Sequence, residues 1–81
     1  MTGEDIHARL QDIFRDVFDD ETLVIGPATH AGDIPDWDSL AQITLVVAVE
    51  TDFAISLSLD EMAVLRNVGD MMQLIRSKVA A

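Results

Sequence analysis

No cysteine occurs among the 81 residues of this chain, and that absence sets the terms on which it can fold. A disulfide framework, a thiolate metal site and a cysteine nucleophile are all excluded. A chain this short builds one core, because chains divide into separate domains only well above this length. A small domain without such staples depends on well-packed helices. The composition agrees: apolar residues make up 49% of the chain, tyrosine is absent and aromatic residues amount to 5%. So little aromatic surface leaves a large β-sandwich core short of its usual material and offers few platforms for stacking nucleic-acid bases. The expectation is one all-α domain over residues 1–81.

Charge narrows the partners. Fifteen Asp and Glu against five Lys and Arg give a formal net charge of −10 and a pI near 4.1. Nucleic-acid phosphates and anionic membrane surfaces carry the same sign, which argues against both, and the excess charge favours a monomer. No stretch approaches the run of about 18 apolar residues that a spanning helix needs, so membrane insertion is not expected. The opening Met1-Thr2-Gly3-Glu4-Asp5 lacks the basic-then-apolar order of a secretory signal, and the expected location is cytoplasmic.

Apolar spacing marks out four helices. Over residues 2–18, Ile6, Leu10, Ile13, Phe14, Val17 and Phe18 recur at intervals of three and four, the stripe of an amphipathic helix. Thr2 with Asp5 forms a capping-box pattern, and Asp19-Asp20-Glu21 places charge where a helix dipole disfavours it, so the helix ends near residue 18 or 19. Residues 20–37 carry Gly26, Pro27, Gly32 and Pro35 without a period and read as a long loop pinned by Leu23, Ile25 and Ile34. Asp38 is a good N-cap, which makes Ser39 the first helical position.

Residues 39–53 form a helix with two apolar stripes: Leu45, Val46, Val49 and Phe53 on one side, Leu40, Ile43 and Val47 beside Ser39 on the other. A domain of this size cannot bury both, so the stripe beside Ser39 is a candidate partner surface. The alternatives are that both stripes are core, or that the valines near 46–49 mark a strand. Ser58 with Glu61 opens a short third helix through about residue 65, and Asn67 with Asp70 opens a fourth to about residue 79, its apolar face built from Val68, Met71, Met72, Ile75 and Val79. Together these give an all-α four-helix bundle with a long loop between helices one and two and a short third helix.

Enzyme chemistry finds little purchase. A serine nucleophile needs an oriented base and an oxyanion hole, and neither His7 nor His30 has a spacing that ties it to Ser39; both read as solvated surface residues. Asp33, Asp36 and Asp38 fail the EF-hand pattern, which wants Gly at its sixth position and Glu at its twelfth. What remains is Ser39, a hydroxyl at a helix start where unpaired N–H groups and the dipole suit a phosphodiester. The plainer alternative is that Ser39 merely begins the helix beside its cap.

The segment Asp38-Ser39-Leu40, followed by an apolar helix ending Val49-Glu50-Thr51-Asp52-Phe53-Ala54-Ile55, resembles the acyl carrier protein family. The likeness extends to helix one, the long loop, the Leu57-to-Glu61 approach to a short helix and the Asn67-Val68 start of the last one. It implies the acyl-carrier type of four-helix bundle and a 4′-phosphopantetheine arm on Ser39, installed by a phosphopantetheinyl transferase. The arm's thiol would carry acyl groups as thioesters, and the protein itself would catalyse nothing. Partners so implied are an acyl-loading ligase or transferase and the synthase or acyltransferase enzymes that use the arm. The resemblance also implies that Leu45, Val46, Val49 and Phe53 line a space for an acyl chain, although plain core packing accounts for them equally.

Two departures bear on partners. Fatty-acid-synthesis carriers usually place acids two and five positions after the serine, where this chain has Ala41 and Thr44. Glu50 and Asp52 remain from the acidic helix; steering by basic patches is then expected to weaken and apolar contact through Leu40, Ile43 and Val47 to matter more, with Asp38 and Glu50 also on the expected recognition face. Trp37 replaces a small residue and is either a hot spot at the root of the arm or a loop anchor. These departures point to a carrier for a specialised lipid, fatty-acid or polyketide pathway. An aminoacyl or peptidyl carrier shares the fold and the arm. An unmodified acidic adaptor binding through Leu40, Ile43 and Val47 is the alternative from another class.

Overall fold

A computed structural model describes residues 2–79, and among them the secondary structure is helical, with no strand. The order is α1 (Gly3–Val17), a 3-10 turn at Ala31–Asp33, α2 (Ser39–Phe53), α3 (Leu59–Ala63) and α4 (Val68–Val79). The valines near 46–49 lie inside α2. Helical burial of Leu45, Val49 and Phe53 on one face outweighs the weak β preference of those side chains. The third helix ends at Ala63, two residues short of the expected point, with Val64 as its cap. No helix among the described residues is long and apolar enough to cross a membrane.

Side chains set each helix start. The Asp5 N–H donates to the Thr2 hydroxyl at 3.1 Å while the Thr2 N–H donates to the Asp5 carboxylate at 3.0 Å, and Ser58 and Glu61 repeat this box. The start of α4 uses the loop as well: Asp70 N–H donates to the Asn67 side chain at 2.8 Å, Val68 N–H to the Thr29 carbonyl and Gly69 N–H to the Pro27 carbonyl. A Cβ at position 69 would stand 2.9 Å from that Pro27 oxygen, so this approach requires glycine.

Two of these boxes, and a similar bond from Thr22 to Asp20 in the loop, make stability depend on pH. The backbone N–H of Thr2 holds the Asp5 carboxyl below the usual carboxylate range, the Thr22 hydroxyl does the same for Asp20, and the Ser58 N–H followed by Lys78 does so for Glu61. A lowered native pKa contributes stability that is present above the unfolded value and is lost as pH falls through the lowered one. The carboxyl signals of these three residues are expected to titrate below the ordinary range of about 3.9 to 4.3 in an NMR titration. Ordinary midpoints would remove the contribution.

Helices α1 and α2 both end on a left-handed residue that is not glycine: Asp19 at φ 50° and Ala54 at φ 55°. Asp20 N–H reaches back to the Arg15 carbonyl and Ile55 N–H to the Glu50 carbonyl, the long bond of a Schellman ending. Aspartate tolerates this conformation, whereas alanine has no side-chain bond to offset its strain. Ala54→Gly is therefore expected to stabilise the fold by up to about 1 kcal/mol, after glycine's larger entropy loss is subtracted. That corresponds to a rise of several degrees in the melting midpoint. An unchanged or lower midpoint would refute it.

Packing unites the elements in one core. Helix α1 lies against both α2 and α4, and Ile6, Leu10 and Phe14 meet Leu45, Val49, Val68 and Ile75, all fully buried. The loop is pinned as expected, with Ile25 and Ile34 buried and Leu23 half-buried. Its other fastening is polar. His7, Gln11 and Arg15, spaced four apart along α1, form a row of hooks on the loop backbone. His7 Nε2 donates to the Ile25 carbonyl at 2.6 Å, Ile25 N–H to the Gln11 side-chain Oε1 at 3.3 Å, and Arg15 Nε to the Leu23 carbonyl at 2.8 Å. His7 is thus not the solvated surface histidine expected from the sequence: it is half-buried and holds the loop.

Candidate functional site

Helix α2 begins where the sequence places it. The Asp38 carboxylate accepts from the Ala41 N–H at 2.8 Å, and the Asp38 carbonyl accepts from the Gln42 N–H at 2.9 Å. Ser39 is the first helical residue and is exposed. Among the described residues, its hydroxyl has no hydrogen-bond partner, and the N–H groups of Ser39 and Leu40 have none either. A free hydroxyl therefore stands beside two unsatisfied donors at the positive end of a 15-residue helix.

Trp37 secures this helix start. Its ring meets Phe14 edge-on at 5.2 Å between centroids and Phe18 at 6.3 Å, and its indole N–H donates to the Gln42 side chain at 2.7 Å. Residues on either side of Ser39 are thereby joined across its base. This packing fastens the end of the loop to α1 and leaves Trp37 half-buried. Gln42 carries no motif signature that marks it in the sequence.

Depressions open on both sides of Ser39. One, of about 540 Å³, is lined by Ala31, Trp37, Ser39, Gln42 and Ile43. The other, of about 280 Å³, lies between the end of α1 and the start of α2 and includes Phe18, Leu40 and Thr44. A third cavity of about 200 Å³ continues under α3, lined by Trp37, Gln42, Met62, Leu65 and Met71. Leu45, Val46, Val49 and Phe53 are not among its lining residues. They pack in or against the core instead, with Leu45 and Val49 fully buried.

The second stripe of α2 is exposed as the sequence anticipates: Leu40 is 72% accessible, Ile43 56% and Val47 57%. Thr44 and Thr51 turn their hydroxyls back onto the Leu40 and Val47 carbonyls, which leaves the face little free polar capacity. Glu50 is engaged within the fold, its carboxylate accepting from the Leu57 N–H at 3.1 Å.

The histidines do not converge on Ser39. His7 holds the loop, while His30 caps the 3-10 turn through the Gly32 N–H and lies 3.6 Å from Asp33. Among the described residues no group of three His, Asp or Glu is arranged to hold a metal ion. Among the described residues no side chain is placed to act as a base on the Ser39 hydroxyl, as a serine nucleophile requires.

Neither a protein-family model nor a curated protein matches the chain. A solved structure does: the solution NMR structure of a holo acyl carrier protein from Geobacter metallireducens, 41% identical over 93% of this chain and 86% of that one, superposes with a TM-score of 0.88.

Proposed function

Since the chain belongs to the acyl carrier protein family, we propose that Ser39 bears a 4′-phosphopantetheine arm and that the protein carries acyl groups as thioesters for a specialised lipid, fatty-acid or polyketide pathway. It is a carrier, not an enzyme. The reading rests on one observation: the Ser39 hydroxyl, inside Asp38-Ser39-Leu40, is exposed and unbonded next to the free N–H groups of Ser39 and Leu40. Those donors fit a phosphodiester, which they would hold by hydrogen bonds and the helix dipole. When attached, the arm supplies the thiol, a chemistry this cysteine-free chain lacks. Among the described residues no side chain hydrogen-bonds to the Ser39 hydroxyl, so the base that activates it is expected from the transferase.

The cavity under α3, of about 200 Å³ and lined in part by Met62, Leu65 and Met71, offers apolar, adaptable walls beside the site of the arm. Leu40, Ile43 and Val47 present the apolar face to the loading and acyl-using enzymes, flanked by Trp37, Asp38 and Glu50. The test is the intact mass of the purified protein before and after incubation with coenzyme A and a broad-specificity phosphopantetheinyl transferase. A gain of one phosphopantetheine is expected. A folded chain left unmodified by several transferases would overturn the carrier reading and favour an unmodified adaptor.

A further inference from the structure

The two histidines of the chain are tied to the backbone in opposite senses. His7 Nε2 meets the Ile25 carbonyl at 2.6 Å, and since a carbonyl only accepts, that nitrogen carries a proton. His30 Nδ1 meets the Gly32 N–H at 3.0 Å, and since an N–H only donates, that nitrogen is bare. The proton of the neutral His30 ring therefore sits on Nε2, which lies 3.6 Å from the Asp33 carboxylate. Taking up a second proton leaves the His7 bond intact, because its Nε2 donates in both charge states. The same event at His30 puts a proton on Nδ1, and the Gly32 N–H then faces a donor in place of an acceptor.

The bond at stake is the cap of the 3-10 turn Ala31–Asp33. Glycine lets the ring lie against that turn: a Cβ at position 32 would stand 2.8 Å from His30 Cε1. The turn is joined to the site by backbone. Ile34 N–H donates to the Ala31 carbonyl and Trp37 N–H to the Ile34 carbonyl, while Ala31 and Trp37 together line both the 540 Å³ depression that includes Ser39 and the 200 Å³ cavity under α3. The charged groups around the turn are Asp33 within it, Asp38 at the start of α2, and Arg66 and Asp70 at the entry to α4. Asp38 is occupied by the Ala41 N–H and Arg66 pairs with Asp70. Among the described residues only Asp33 comes within 4 Å of the His30 ring nitrogens as an ion-pair partner. The ring is 55% accessible, so a proton reaches it directly from solvent.

We propose that His30 is a proton-operated catch on the wall beside Ser39. With the ring neutral, bare Nδ1 holds the Gly32 N–H and the turn is closed. As pH falls through the window in which histidine changes charge, about 8 to 5, the ring takes one proton from solvent at Nδ1. The cap bond is lost, and the turn carrying Ala31 loosens at the mouth of the depression and of the cavity. The catch itself is made of this chain's own bonds. Its meaning for an acyl-bearing arm rests on the carrier reading, under which the wall that loosens is the one beside the arm.

The test uses the full chain without an arm. Ring nitrogen shifts of His30, hydrogen exchange of the Gly32 amide corrected for the intrinsic pH dependence of exchange, and Trp37 emission are followed from about pH 8 to 5 in wild type and His30→Asn. Asparagine is a strong capping acceptor and takes up no proton in this window. In wild type, His30 Nδ1 is expected to be bare at the upper end, Gly32 protection to fall about fivefold on acidification, as for the loss of one cap, and the emission of Trp37, the chain's single tryptophan, to move over the same window. His30→Asn is expected to hold protection and emission constant. A proton found on Nδ1 of the neutral ring, a Gly32 amide equally protected at both ends, or a change that persists in His30→Asn overturns the catch. Lost protection with unmoved Trp37 emission overturns it too, since the turn would then not reach the wall. Failure of the chain to accept an arm from any transferase would sink the carrier reading and leave these results standing.

Discussion

Ser39→Ala is expected to abolish phosphopantetheinylation completely while leaving the helical fold and its melting midpoint essentially unchanged. The Ser39 side chain is exposed and makes no hydrogen bond among the described residues, so its removal breaks no packing and orphans no partner. Alanine is the better helix former, and Asp38 remains to cap α2. The stability change should stay within about 0.5 kcal/mol, as for other surface substitutions. Asp38→Ala offers a contrast, since losing an N-cap costs about 1 kcal/mol. The other serines provide the internal control. Ser58 is committed to a capping box, and neither Ser56 nor Ser77 lies at a helix start beside an Asp-Ser-Leu segment. A mass gain that persists in a folded Ser39→Ala protein would place the attachment elsewhere and sink the assignment.

Features with a local cause were legible in the sequence. The limits of α2 follow from Asp38 and from two apolar stripes whose separation a helical projection reveals, and the exposed stripe is the one beside Ser39. The capping boxes at Thr2 and Ser58 need only residues three apart. What escaped has a distant or backbone partner. The row of His7, Gln11 and Arg15 reads as an ordinary polar face because its targets are backbone groups 8 to 18 positions away. The 3-10 turn at Ala31–Asp33 is capped by His30, an uncommon capping residue, and three residues are too few to show a period. The depression between the end of α1 and the start of α2 arises where Phe14 and Phe18 meet Trp37, a tertiary contact that no spacing announces.

That contact also identifies the residue whose loss should be felt most. Phe14→Ala is expected to cost about 3–5 kcal/mol, the usual range for removing a buried phenylalanine. Phe14 is fully buried, and its ring meets both Trp37 at 5.2 Å and Phe18 at 5.9 Å, so the loss includes the aromatic pairing as well as a cavity. A domain of 81 residues has a total stability of only about 4–12 kcal/mol, and the variant should therefore sit near its unfolding threshold at ordinary temperature. Urea denaturation measures the change directly. Phe14→Leu keeps most of the apolar volume, and its smaller loss leaves a folded protein in which the consequence for Ser39 can be followed. Trp37 is the chain's single tryptophan and tyrosine is absent, so intrinsic fluorescence reports on this position alone. With the edge contact weakened, Trp37 emission should shift to longer wavelength, and modification of Ser39 should slow although Asp38-Ser39-Leu40 is untouched. Loosening the indole also loosens Gln42, the residue that ties it to α2 across the root of Ser39. A Phe14→Ala protein with the wild-type urea midpoint would show that the aromatic cluster does not hold this end of the bundle together.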